Sequence, residues 1–277
     1  MKRVIKLAIS VLWFIGMSLA TLVMGRNRPL VILYYHAVPA HFRAQFGRQL
    51  DVVKACALVV PADYVGDLGA SHRLVAITFD DAFTCVTDIA LPELAMRAMP
   101  STIFIPSGAL GCLPAWEMEE DTEDRSEAVA TESILRSAIS PLVVLGAHSV
   151  SHPHLTRIGH AAAWEEITCA KAELEQKFAV PIELFAFPYG EHNAETVMMC
   201  REAGYKHAYT VIPQNIDADR GDFLRGRVSV SPVDSALEFW LKIHGGYVWM
   251  RYASTLKRVL SSRGSANHLQ ARCASDA

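Results

Sequence analysis

The chain has 277 residues, 51% of them apolar and 20% charged, and a formal net charge of −3 at pH 7. That length suits one domain of α/β-barrel size or two small ones, and the apolar fraction and only 6 cysteines exclude a disordered chain, a collagenous one and a small disulfide scaffold. The near-neutral balance gives no global attraction for nucleic acid, so no nucleic-acid partner is expected.

The first segment is membrane-directing. Lys2, Arg3 and Lys6 precede an uncharged, mostly apolar run from Leu7 to Met24, which spans about 27 Å as a helix. It reads as an uncleaved anchor, with Ser18-Leu19-Ala20 as a competing cleavage site that would make residues 1–28 a signal peptide and the domain secreted or periplasmic. The basic excess before the run, against Arg26 and Arg28 after it, places the amino terminus in the cytoplasm and the domain outside. The cysteines (56, 85, 112, 169, 200 and 273) show no CxxC pair, and most read as buried fillers; outside the cytoplasm a disulfide is allowed, with no pair nominated.

Seven continuous apolar runs follow: Leu30–Tyr35, Leu74–Phe79, Thr102–Ile105, Leu142–Ala147, Leu184–Phe187, His207–Val211 and Arg227–Val230. Unbroken rather than alternating runs are what strands covered on both faces show, so a parallel sheet or barrel is expected. Between them lie helical patterns at Phe42–Cys56, Leu91–Ala98, Thr131–Ala138, Ala161–Phe178, Ala194–Ala203 and Ser235–Ile243. An acid-dense stretch, Glu117, Glu119, Glu120, Asp121, Glu123, Asp124 and Glu127, reads as a solvated loop without calcium-loop spacing. A catalytic domain over 29–260 would leave a disordered tail at 261–277.

Polar residues collect where three of the runs end. After the second, Ala76-Ile77-Thr78-Phe79-Asp80-Asp81 puts two carboxylates at a strand's carboxyl end, where α/β sites form; one can bind a cation while the other stays free. After the fourth comes His148-Ser149-Val150-Ser151-His152-Pro153-His154. Two histidines four apart and one Asp make a facial ligand set that leaves positions open for water and substrate, and His154 makes a different pair conceivable. After the fifth, Pro188-Tyr189-Gly190 is a tight turn able to aim a backbone N–H at a substrate oxygen.

The motifs Thr78-Phe79-Asp80-Asp81, His148-Ser149-Val150-Ser151-His152 and Pro188-Tyr189-Gly190, joined by Tyr34-Tyr35-His36 at the start, together resemble the polysaccharide deacetylase family of carbohydrate esterases, from about Leu30 to Ile243. The resemblance implies a distorted (β/α)7 barrel of parallel strands and a divalent metal, commonly zinc. It implies Asp81, His148 and His152 as ligands, Asp80 as catalytic base and the Tyr189 N–H as oxyanion donor. The implied activity is hydrolysis of acetyl groups on an acetylated polysaccharide or oligosaccharide.

The chain departs from the better-known branch, which places an Arg where Ala186 stands and takes its acid from a late Leu-x-x-His. Phe185-Ala186-Phe187-Pro188-Tyr189-Gly190 looks instead like the branch of biofilm poly-N-acetylglucosamine deacetylases, which implies His36 as general acid. His244, in Leu241-Lys242-Ile243-His244, reads as structural. Arg227 is the candidate to replace the missing Arg by reaching Asp80, with Arg225 competing. Trp116 and Trp249 could stack on sugar, with packing the default.

The expected function is a metal-dependent deacetylase acting on N-acetylhexosamine units at or outside the membrane. A polysaccharide O-acetyl esterase and a catalytically impaired sugar-binding barrel are the alternatives. Two His and one carboxylate also describe an iron oxygenase, but such an enzyme has no need of a free acid at Asp80.

Overall fold

Residues 2–24, 29–66, 73–118, 123–217 and 221–253 are described by the structure, a computed structural model. The expectations for 261–277, Arg26, Arg28, Cys273 and Glu119–Asp121 lie outside those residues.

Strands β1 (Leu30–Tyr35), β2 (Leu58–Val59), β3 (Leu74–Phe79), β4 (Ser101–Ile105), β5 (Val143–Ala147), β6 (Leu184–Ala186), β7 (His207–Thr210), β8 (Leu224–Gly226) and β9 (Val228–Ser229) form one all-parallel sheet. Its order is β8-β7-β6-β5-β4-β3-β1-β9, with the short β2 also on β3. The last two strands are consecutive in sequence, interrupted only at Arg227, and one pairs β7 while the other pairs β1. A single bent strand thus closes the sheet into a seven-stave (β/α) barrel. The break was not anticipated: Arg227–Val230 was expected as one strand, and β2 was not expected at all.

Strand alternation divides the apolar residues. Leu30, Ile32, Leu74, Ala76, Phe104, Leu184, Ala186 and Tyr209 fill the interior, while Val31, Leu33, Val75, Ile77, Ile103, Phe185 and Ala208 face the helices. These helices are α2 (Arg43–Cys56), α3 (Leu91–Ala95), α4 (Glu132–Ala138), α5 (His160–Phe178), α6 (Ala194–Glu202) and α7 (Ala236–Ile243). Side-chain caps fix several starts: Thr131 accepts from the Ile134 N–H, Ser235 accepts from the Glu238 N–H, and Asn193 and Thr196 form a capping box. On α5, Ala163, Ile167, Ala170, Leu174 and Phe178 are buried, the three-and-four spacing of an amphipathic helix.

Helix α1 (Lys2–Met24) precedes the barrel. Its stretch Arg3–Ala20, of mean hydropathy 1.7, is long and apolar enough to cross a membrane, the one such helix among the described residues. One side of it is nevertheless docked on α7 and the residues after it. Arg3 pairs with Glu238 at 2.7 Å, the Trp249 indole N–H donates to Ser10 at 2.9 Å, and Phe14 meets Trp240 edge-on at 4.9 Å. Trp249 and His244, which stacks on Trp240 at 3.9 Å, belong to this packing. The opposite side, including Val4, Ile5, Leu12 and Leu19, is exposed.

Candidate active site

The site grows from three turns at the carboxyl ends of β3, β5 and β6. Of the seven non-glycine residues with positive φ among those described, five lie here: Asp81 (65°), Ala82 (52°), Ser149 (64°), His152 (60°) and Tyr189 (57°). Each such backbone costs of order 1–3 kcal/mol and persists only where the surroundings over-determine it. On β3 the residues Leu74, Ala76, Thr78 and Asp80 alternate toward the interior, so Asp81 would point out to the helices had the strand continued. Two left-handed residues in succession end the strand and turn Asp81 back, so that its carboxylate comes within 3.7 and 3.5 Å of the His148 and His152 rings. At Tyr189-Gly190 the turn needs its glycine: φ is 68°, and a Cβ would lie 2.3 Å from the Val211 side chain.

Asp81, His148 and His152 are buried, and their ligand atoms lie within 4.8 Å of one another. Asp81 Oδ1 is 3.7 Å from His148 Nε2 and 3.5 Å from His152 Nε2. Donors sharing one tetrahedral ion at about 2.0–2.1 Å sit about 3.3 Å apart, so this spacing suits a common cation. Two further observations fit one. The His148 Nδ1–H donates to the Ala186 carbonyl at 2.7 Å, which leaves the Nε2 lone pair facing Asp81, and Asp81 Oδ1 itself is buried without a hydrogen-bond partner.

Electrostatics agree. Burial, helped by the charges of Asp80 and Asp124, pushes the Asp81 carboxyl up to about 7 when no cation is bound. Burial lowers His148 to about 4, and burial together with His148 lowers His152 to about 2. Both imidazoles are therefore neutral near pH 7, and below about that pH Asp81 carries a proton that a bound cation would have to displace. Zinc affinity is accordingly expected to fall about tenfold per pH unit below 7, with one proton released per ion bound. Calorimetry in buffers of different ionisation enthalpy measures that number. Two protons released at pH 6 would mean that the histidines titrate as free ones do.

Asp80 sits in a different environment. Arg227, fully buried at the β8–β9 break, binds it bidentately, Nη1–Oδ1 2.6 Å and Nη2–Oδ2 2.8 Å, and also donates to Thr78 Oγ1 at 3.1 Å. The guanidinium lies over the rings of Tyr34 and Phe104 at 4.8 and 5.1 Å. Burial pushes the Asp80 carboxyl up, but Arg227 and His148 outweigh it and hold the group below its ordinary value. Arg225 takes no part: it donates to the Ala62 and Tyr64 carbonyls after β2.

His36, exposed at the end of β1, stands edge-on to Tyr34 at 5.6 Å. Tyr189 meets His152 edge-on at 4.6 Å and stacks on His154 at 3.8 Å. His154 is turned away from the cation trio toward Glu191, at 2.9 Å. Trp116 stacks on His152 at 4.6 Å, and the exposed Glu117 beside it reaches within 3.5 Å of His154, so the acidic stretch begins at the rim of the site.

A family model described as polysaccharide deacetylase matches residues 68–208, about half of the chain. That span contains all three turns and leaves out His36 and Arg227. YxkH of Bacillus subtilis (strain 168), which carries a polysaccharide deacetylase name, is 26% identical over 173 residues, 62% of this chain and 57% of that protein. The match thus covers less than two thirds of that curated relative's length. Among solved structures, IcaB from Ammonifex degensii superposes with a TM-score of 0.66 at 24% identity, covering 80% of this chain and 98% of that one. The deacetylase PplD of Streptococcus pyogenes, solved in complex with acetate, gives 0.64 at 20% identity over 79% and 99%. At these identities the superpositions establish the shared fold.

Proposed function

Since the chain belongs to the polysaccharide deacetylase family, we propose that it is a metal-dependent hydrolase removing acetyl groups from N-acetylhexosamine units of a polysaccharide or oligosaccharide. The observation that carries this reading is a buried cation-competent trio, Asp81, His148 and His152, beside a second carboxylate that an arginine keeps ionised.

Asp81, His148 and His152 would hold the cation, and their mixed nitrogen and oxygen donors suit zinc. Such an ion supplies polarisation of an acetyl carbonyl and a lowered pKa for a bound water. Asp80 is the group that takes the water's proton. Arg227 occupies one lone pair on each of its oxygens, fixing the plane of the carboxylate, and a second lone pair on each is left to accept. The Tyr189 N–H, held on its left-handed turn, is the donor to the developing oxyanion. His36, exposed where β1 ends, gives a proton to the departing amine. Arg227 supplies from the last strand the guanidinium that the sequence lacks at Ala186, which argues against an impaired barrel. Through the exposed apolar side of α1 the domain is attached to a membrane, outside the cytoplasm.

Zinc-loaded protein is expected to release acetate from N-acetylglucosamine oligomers in preference to acetylated xylan. Release from the xylan alone would replace this reading with an O-acetyl esterase. Release from neither would contradict both.

A further inference from the structure

The turn bearing both histidines is gripped from outside by one side chain. Glu166, half-buried on α5, accepts the Val150 N–H at 2.8 Å and the Ser151 N–H at 2.9 Å on Oε2, and the Ser151 hydroxyl at 2.6 Å on Oε1. Those three donors belong to the two residues in the middle of the His148–His152 turn. The turn's carbonyls are fixed separately: the Ser107 N–H donates to the Ser149 oxygen at 3.1 Å and the Gly108 N–H to the Val150 oxygen at 2.9 Å. Inside the turn, the His152 N–H donates to Ser149 Oγ at 3.0 Å.

Ser149 and His152 both have left-handed backbones, so the turn has a local incentive to relax. Relaxation would change the distance between the two imidazoles, because the strained residues flank Val150 and Ser151. The carboxylate opposes it with charge-assisted hydrogen bonds, the stronger kind. Its own platform is rigid, since the next residue, Ile167, and then Ala170 and Leu174 are buried against the barrel.

We propose that Glu166 is a positioning residue that sets the separation of His148 and His152, and through it the affinity for the cation. This rests on the reading of Asp81, His148 and His152 as a cation site. Outer partners of this kind are generally worth about 10–100-fold in metal affinity.

The test uses the full chain and its Glu166→Ala, Glu166→Gln and Asp81→Ala variants, with two readouts. One is zinc affinity by competition with a chromophoric chelator; the other is amide exchange at Val150 and Ser151 in metal-free protein. Glu166→Ala is expected to bind zinc about 10–100-fold more weakly and to exchange both amides faster. Glu166→Gln, whose amide oxygen can still accept both N–H groups, should recover most of each. Asp81→Ala should lose zinc while keeping both amides protected. Unchanged zinc affinity in Glu166→Ala overturns the proposal, and so does unchanged amide protection, even where no metal binds. A parent protein that binds no zinc instead overturns the cation reading, and the exchange data separate the two failures.

Discussion

Asp80→Asn is expected to slow acetate release by about 10²–10⁴-fold while leaving the bound metal in place. The change is nearly isosteric, and the amide oxygen can still accept from Arg227, so the surroundings of the side chain are kept. What it removes is the ability to take up a proton. Asp81, the carboxylate next to it, cannot substitute, because its free oxygen faces the two imidazoles. KM should move little and kcat should carry the loss, since the proton is transferred only in the reaction. Steady-state kinetics with metal analysis on the same samples decides the point. Turnover retained within a few-fold would remove Asp80 from the chemistry.

Arg227→Met should be the most damaging single change to stability. Taking away one partner of a buried pair leaves the other charge uncompensated, a loss of about 3–5 kcal/mol. Asp80 is 2% exposed and Arg227 fully buried, so water cannot replace the guanidinium. Methionine roughly preserves the apolar bulk between Tyr34 and Phe104, which separates the charge effect from a packing effect. The double variant Asp80→Asn, Arg227→Met should regain a large part of the lost stability, since no ionised carboxylate is left stranded, and none of the activity. Denaturant unfolding of the four proteins without metal gives the coupling directly. Strictly additive losses would show that the pair does not act as a unit.

The sequence carried the barrel because its staves are unbroken apolar runs, the pattern that burial on both faces imposes. What it could not carry were features without a period. Strand β2 is two residues long, and the closing strand breaks at Arg227, between Gly226 and Val228. The site divides in the same way. Asp80, Asp81, His148 and His152 stood out because polar residues clustered where apolar strands end. Arg227 was visible only as one of two candidates, and the geometry chose between them: Arg227 binds Asp80, whereas Arg225 donates to the Ala62 and Tyr64 carbonyls. Glu166 was not visible, since a glutamate on an amphipathic helix looks like any solvated one until the turn it holds is in view. Helix α1 was legible as an apolar, membrane-directing segment. What its composition did not show is that Arg3, Ser10 and Phe14 seat one side of it on α7 and the residues after it.

The central claim is that one cation is shared by Asp81, His148 and His152 with Asp80 left free. Anomalous diffraction at the zinc edge, from crystals of the full chain grown with zinc, tests it most directly. A single strong peak is expected at about 2.0–2.2 Å from Asp81 Oδ1 and from Nε2 of both His148 and His152, with the Asp80 carboxylate on Arg227. A peak bound through Asp80, or none between the two histidines, would contradict the account.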